Sequence, residues 1–258
     1  MDDDLVALFR VIDLTGVFAN AVLGGVIARR EKLDAVGFVT LAVLSGLGGG
    51  ILRDTLLQAG APLALTDAAY LGTALVAALI AFLLRIEGRL WDKVWPVLDA
   101  VALGCWAVAG AQKTLAVGLG WVPAILLGMI TAVGGGAIRD IVLRRVPTVL
   151  GGNTLYATCA AVAAAVMVVA HALGQPSVGM VAGLLVGAGL CLLARWRGWI
   201  LPPADQWSAT QVIPRRYRGA GRGVARRIGR ARRRPAGPRT PGRTNPDDHS
   251  PDDHEGSR

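Results

Sequence analysis

Apolar stretches long enough to cross a bilayer recur along this chain, and they limit its fold more tightly than any other feature. A bilayer's hydrocarbon needs about 20 consecutive apolar residues per helix. Stretches of that kind lie at 5–28, 35–57, 67–84, 95–116, 121–143, 154–172 and 177–195. The 258 residues are 53% apolar with a mean hydropathy of +0.49, above the soluble norm of about 45–50% apolar. The expectation is an all-α integral membrane protein with seven transmembrane helices.

The formal charge of +9 looks like a nucleic-acid signature until it is divided along the chain. Residues 1–195 carry 13 Lys/Arg against 12 Asp/Glu, and residues 196–258 carry 14 against 6, so the balances are +1 and +8. The basic character belongs to the tail. Short cytoplasmic loops collect Lys and Arg. Arg29, Arg30 and Lys32 follow the first span, Arg85, Arg89 and Lys93 the third, Arg144 and Arg145 the fifth, and Arg195 and Arg197 open the tail. The acidic N-terminus and the 58–66 and 171–176 loops hold none, and the loop after the fourth span has only Lys113 near its edge. The alternation puts the N-terminus outside and the tail in the cytoplasm. The chain opens Met1, Asp2, Asp3, Asp4, unlike the positive start of a cleavable signal peptide, so the first span is expected to stay.

One ungapped offset of 86 residues aligns the first half with the second. GGGILRD at 48–54 falls on GGGAIRD at 134–140, and Asp13 falls on Asp99, Gly24 on Gly110, Ser45 on Thr131, Leu57 on Leu143 and Tyr70 on Tyr156. Each copy holds three spans, and an odd number makes the second copy enter the membrane from the opposite side. This is the inverted-repeat plan of many transporters, with the solute site at the repeat interface. The expected organisation is a first three-helix repeat at 1–90, a second, inverted one at 91–174, a seventh helix at 175–198 and a disordered Arg/Pro/Gly-rich tail at 199–258.

Three consecutive glycines inside a spanning helix each cost about 1 kcal/mol relative to alanine. Two readings offset that cost. Small residues let helices pack closely in membranes, or the glycines break the helix so that freed carbonyls line a polar cavity, where irregular backbone is tolerated. The doubling of the motif and the Arg-Asp that follows favour kinks at Gly48, Gly49, Gly50 and at Gly134, Gly135, Gly136, lining a path. Freed carbonyls carry the negative end of a half-helix dipole and suit a cation in transit. Ser45 and Thr131, one turn earlier, would add hydroxyl oxygens to that surface or back-bond to their own helix.

Ionisable residues inside a membrane are costly and are usually paired or water-facing, so Asp13, Arg53, Asp54, Asp99, Arg139 and Asp140 need partners. Sequence neighbours on a helix do not face each other, and the partners are expected from other helices. At a rise of about 1.5 Å per residue, Asp13 and Arg53 fall in the outer half and Asp99 and Arg139 in the inner half. Asp13 with Arg53 and Asp99 with Arg139 should form two charge clusters flanking the midplane, the arginines bracing the kinks or gating the path.

Other chemistry is sparse. Cys105, Cys159 and Cys191 fall inside spans, where a small hydrophobic role is expected rather than a disulfide or zinc site. The spans offer no nucleophile and base for an enzyme, and His171, His249 and His254 read as structural or solvated. No cofactor and no tightly bound metal are expected.

The doubled GGG-x-x-Arg-Asp, Asp13 within DLTGVFANAVLG, and Asp99 in the matching segment up to VAGAQK resemble the bacterial trimeric intracellular cation channel family, also catalogued as UPF0126-type membrane proteins with a glycine-transporter domain. The resemblance covers about residues 5–195. It implies a homotrimer in a bacterial plasma membrane, each subunit with its own pore around kinked second and fifth spans, passing monovalent cations such as potassium. The lysine-containing lipid-binding motif of animal members is missing, so phosphoinositide regulation is not implied. Ala102 departs from the glycine expected by symmetry with Gly16. The other open reading is a secondary transporter of glycine or another small amino acid.

The tail mixes Arg, Gly and Pro with few apolar positions, too few to bury a core. Arg215 to Arg234 suits anionic lipid, each basic residue near the surface contributing about 1 kcal/mol. A nucleic-acid partner is not expected, for want of stacking aromatics and a fold. Deleting 204–258 should leave trimer formation and permeation intact. Size-exclusion light scattering and flux assays check this, and a truncated protein that assembles but conducts nothing would contradict it.

Overall fold

A computed structural model describes residues 3–84, 89–150 and 155–200. All regular structure among the described residues is helical: α1 (Asp3–Arg30), α2 (Ala35–Leu57), the one-turn α3 (Leu63–Thr66), α4 (Ala68–Leu83), α5 (Arg89–Ala116), α6 (Trp121–Val142), a 3-10 turn at Thr148–Leu150, α7 (Tyr156–Ala172) and α8 (Pro176–Arg197). Of these, α1, α2, α5, α6 and α8 are long and apolar enough to cross a membrane, while α4 and α7, at 16 and 17 residues, are shorter. The tail beyond Ile200, with His249 and His254, lies outside the described residues, as does Arg85.

The helices stop where their chemistry requires. Asp34 caps α2 by accepting the Gly37 N–H at 2.7 Å, and Asp67 caps α4 by accepting the Ala69 N–H at 2.9 Å, satisfying donors that the first turn leaves open. Past their C-termini, α2 and α6 are followed by non-glycine residues in left-handed geometry, Gln58 at φ 49° and Arg144 at φ 55°. These two positions are 86 residues apart. One boundary differs from expectation: α5 begins at Arg89, well before the apolar stretch. Its extra turns bring in Trp91, which is buried, so Lys93, expected in a loop, lies on a helix instead.

The core is a packing of α5 against α1, α6, α7 and α8, and of α2 against α1 and α6. Its contacts are made by small residues, as expected where hydrocarbon outside is as apolar as the protein inside and association depends on close packing. A methyl placed on Gly104 would lie 2.7 Å from the Leu184 carbonyl oxygen of α8, and one on Gly128 would lie 2.7 Å from the Ala107 carbonyl oxygen of α5.

The closest approach is between α2 and α6, at the two glycine runs. A methyl on Gly49 would overlap the Thr131 carbonyl oxygen, and one on Gly135 would overlap the Ser45 carbonyl oxygen. A methyl on Gly134 would stand 3.2 Å from the Gly49 Cα, and one on Gly48 would stand 3.5 Å from the Gly135 Cα. Both contact pairs are related by the offset of 86. The glycine runs end neither helix: α2 and α6 are helical through residues 48–50 and 134–136. Close packing accounts for the first two glycines of each run. The third is different, because a methyl on Gly50 or Gly136 would meet only the guanidinium of Arg53 or Arg139, at 3.7 Å.

This division gives a direct test. Gly49→Ala and Gly135→Ala push a methyl into backbone and should each cost about 1–3 kcal/mol or more, lowering the thermal unfolding midpoint in detergent and reducing assembly. Gly50→Ala and Gly136→Ala should leave that midpoint within about 1 kcal/mol of the parent, in line with the gain in helix propensity. Equal damage at all four positions would refute the distinction.

Candidate functional site

Arg53, near the C-terminal end of α2, is 1% exposed. Its Nη1 and Nη2 donate to the Asp13 carboxylate of α1 at 3.3–3.4 Å, and its Nε donates to Asp54 Oδ1 at 2.7 Å. Tyr70 of α4 donates its hydroxyl to Asp13 Oδ2 at 3.0 Å, Lys113 of α5 donates to Asp54 Oδ1 at 2.7 Å, and the Leu63 N–H reaches Asp54 Oδ2 at 2.9 Å. Five elements thus converge on one guanidinium and two carboxylates. A buried charge stripped of its partner costs about 3–5 kcal/mol, so this cluster ties α1, α2, α4 and α5 together.

The cluster at the equivalent positions is built differently. Tyr156 of α7 donates to Asp99 Oδ1 at 3.0 Å, matching Tyr70 on Asp13. Arg139, however, donates to Asp140 at 2.9–3.0 Å, and the guanidinium on Asp99 is that of Arg195 from α8, at 3.1 Å. Arg195 also lies over the Trp95 ring, 4.3 Å from its centre, a cation–π contact. Asp140 accepts the Thr148 N–H at 3.1 Å and its hydroxyl at 3.3 Å, as Asp54 accepts from Leu63. The expected Asp13–Arg53 contact is therefore present, and the expected Asp99–Arg139 contact is replaced by Asp99–Arg195. Bonds within both Arg-Asp pairs also depart from the rule that sequence neighbours face apart. Arginine is long enough to fold back along the last turn of its helix and reach the adjacent carboxylate.

Two cavities open at opposite ends of the bundle. The larger, about 440 Å³, lies where α1, α6 and α8 end and α5 begins, and its polar lining is Asn20, Arg30, Glu31, Asp99, Arg139, Asp140, Arg145, Thr148, Tyr156 and Arg195, with Gly136 beside them. The smaller, about 280 Å³, lies where α1 and α4 begin and α5 ends, lined by Val6, Phe9, Arg10, Leu63, Asp67, Tyr70, Gln112, Lys113 and Ala116. Shifted by 86 residues, Phe9, Leu63 and Tyr70 become Trp95, Val149 and Tyr156, while Gln112, Lys113 and Ala116 become Val26, Ile27 and Arg30. All six of those positions line the larger cavity. The two cavities are built from corresponding positions. In both, cations of the lining are engaged by carboxylates: Arg139 with Asp140, Arg145 with Glu31 and Arg195 with Asp99 in the larger, and Arg10 with Asp67 and Lys113 with Asp54 in the smaller.

Of the residues singled out in the sequence, Asp13, Arg53 and Asp54 meet in one cluster, and Asp99, Arg139 and Asp140 line one cavity together. Gly48, Gly49, Gly134 and Gly135 lie at the α2–α6 crossing. The Thr131 hydroxyl bonds the Leu127 carbonyl of its own helix at 2.6 Å, and the Ser45 hydroxyl has no partner among the described residues. Tyr70, Lys113, Tyr156 and Arg195 were not expected at the site. For the tyrosines a signal existed, since they coincide at the repeat offset. For Arg195, which lies outside the repeat, none did.

A family model described as glycine transporter matches the chain twice, over residues 10–85 and 96–172. A UPF0126 membrane protein of Deinococcus radiodurans is 34% identical over 196 residues, covering 74% of this chain and 89% of that protein. The UPF0126 inner membrane protein YadS of Escherichia coli is 34% identical over 148 residues, covering 57% of this chain and 71% of that protein. Among solved structures, a TRIC cation channel superposes with a TM-score of 0.69 at 33% identity, covering 76% of this chain and 96% of the other. A trimeric intracellular cation channel orthologue from Rhodobacter sphaeroides superposes at 0.68 and 30% identity, covering 73% and 98%. The two matches of the model begin 86 residues apart, the offset at which the site residues correspond, and this chain belongs to the glycine transporter, or UPF0126, family of membrane proteins.

Proposed function

We propose that this chain is a monovalent cation channel, permeable to potassium, working as a homotrimer with one path through each subunit. The observation that carries the reading is the pair of cavities built from corresponding positions at opposite ends of one bundle. In this reading, residues 1–90 and 91–174 are two inverted three-helix repeats, 175–198 is a seventh helix, and all seven helices cross the membrane. The larger cavity faces the cytoplasm, since Arg29, Arg30, Arg144, Arg145, Arg195 and Arg197 gather at its end. The N-terminus is outside and the tail inside. The path runs past Gly50 and Gly136, the glycines with open space beside them, and past Asp13, Arg53, Asp54, Asp99, Arg139 and Asp140.

Arginine beside a cation path is not a contradiction here. A guanidinium in contact with a carboxylate leaves little net field at a distance, and the pairs of the larger cavity let it hold water without strongly repelling a cation. Similarity to TRIC cation channels at 30–33% identity supports the channel, and the subunit count follows the trimeric orthologue.

Purified protein in a planar bilayer should give discrete currents that persist when sodium replaces potassium and fall when a large organic cation does, with little dependence on chloride. Saturable uptake of radiolabelled glycine in vesicles, with no current, would establish a carrier instead. A second test addresses the outer cluster. Asp13→Arg and Arg53→Asp alone should each lower the unfolding midpoint, by the equivalent of about 3–5 kcal/mol, and reduce the current. The double swap should recover part of both losses, and only part, because Arg53 also holds Asp54. A double variant no better than the worse single would show that the Asp13–Arg53 contact carries neither stability nor flux.

A further inference from the structure

Between the two cavities, α5 is sealed. It lines the larger cavity through Trp91, Trp95 and Asp99 and the smaller one through Gln112, Lys113 and Ala116. From Leu103 to Ala111 its side chains are buried, and midway stands Trp106, 0% exposed and the largest fully buried side chain among the described residues. At 1.5 Å per residue it is about 10 Å along the axis from Asp99 and about 9 Å from Gln112.

Trp106 lies at the meeting of three other helices, each of which presents a glycine to it. A methyl on Gly16 of α1 would stand 2.5 Å from its Nε1, one on Gly135 of α6 would stand 2.9 Å from its Cζ3, and one on Gly49 of α2 would stand 3.2 Å from the same atom. Its indole N–H has no hydrogen-bond partner among the described residues. A buried donor left unpaired is disfavoured, and such exceptions call for a reason. The ring is also a place where the two halves differ. The position 86 residues earlier is Asn20, which lines the larger cavity, and the glycine that receives the indole, Gly16, corresponds to Ala102. A large ring needs a glycine opposite it, and a small amide tolerates an alanine. The two departures fall at corresponding positions of α1 and α5.

We propose that Trp106 is the barrier of the permeation path: its ring closes the passage between the two cavities, and the size of the side chain at this position sets how much current passes. The inference rests on the channel reading. A dry apolar constriction blocks ions by excluding water, and Trp106 supplies one beside the glycine crossing, with the Asp13–Arg53–Tyr70 layer on one side and Asn20 on the other. The unpaired N–H then has a use. When the ring turns or the helices part, it is the donor that first meets entering water.

The test compares potassium flux and single-channel currents of the full chain with those of Trp106→Phe, Trp106→Leu and Trp106→Asn, each checked for trimer size and unfolding midpoint. Trp106→Asn, which copies the counterpart position, should raise open probability about tenfold. Trp106→Leu, which keeps the core apolar and is the variant to rely on if the amide prevents assembly, should raise it less. Trp106→Phe should stay within about twofold of the parent, since it keeps a ring in place. Cation preference over chloride should persist in all, because the charge clusters are untouched. Assembled Leu and Asn variants with parental currents would overturn the assignment while leaving the channel reading standing. So would variants that pass chloride as readily as potassium, since that marks a leak. If the parent and every variant conduct nothing, the channel reading fails and the barrier with it.

Discussion

The approach of two backbones at the α2–α6 crossing is the constraint on which the rest depends. Gly49 rests against the Thr131 carbonyl and Gly135 against the Ser45 carbonyl, a distance that no side chain permits. Because the helices meet so closely, the Arg-Asp pairs one turn further along each helix are carried to opposite ends of the bundle, where other helices complete them. The crossing also leaves a gap beside it that only a flat ring fills. Fold and site are joined at this point: the residues that bring the helices together are neighbours in sequence of those that line the cavities.

Placing six ionisable groups in an apolar bundle, four of them buried and Asp99 and Arg139 half-buried, is tolerable only if each finds a partner, and the two ends solve this differently. At one end Arg53 serves Asp13 and Asp54 together, and Lys113 adds a second cation to Asp54. At the other, Arg139 pairs with Asp140 and α8 contributes Arg195 to Asp99. The helix α8 is therefore more than an addition to the bundle, because it supplies the guanidinium that pairs with Asp99. One consequence is that Arg139, with its side chain 12% exposed against 1% for Arg53, stands nearer to open space than its counterpart.

Much of this was legible in the residues. The apolar stretches anticipated the long helices to within a few residues, and the offset of 86 anticipated which positions correspond, because both are local patterns. The glycine runs do not interrupt their helices, and their first two members pack against a facing backbone. Glycine's low helix propensity is a property of one helix in isolation, whereas these glycines answer to a second backbone that a one-dimensional reading does not contain. The Asp99–Arg139 pair was misassigned for a related reason. Symmetry was applied to the partners as well as to the positions, and Arg195 has no counterpart to reveal it. Trp106 gave no signal, since a tryptophan inside an apolar span looks like core until its neighbours are known to be three glycines.

The departures from symmetry then acquire a meaning in the proposed channel. Two identical halves facing each other would give a path with matching ends and a barrier shared equally between them. Here Trp106 stands against Asn20, Gly16 against Ala102, Lys113 against Ile27 and Ala116 against Arg30, so that the ring lies on one side of the crossing and the charges of the two ends differ in position. The smaller cavity has Lys113, held by Asp54, and Arg10, held by Asp67, while the larger has Arg139, Arg145 and Arg195 held by carboxylates. An ion entering from the two ends would meet different fields before reaching the same ring. In the proposed channel, matching backbone contacts at the crossing, combined with different side chains around it, would give a path whose two ends are not equivalent.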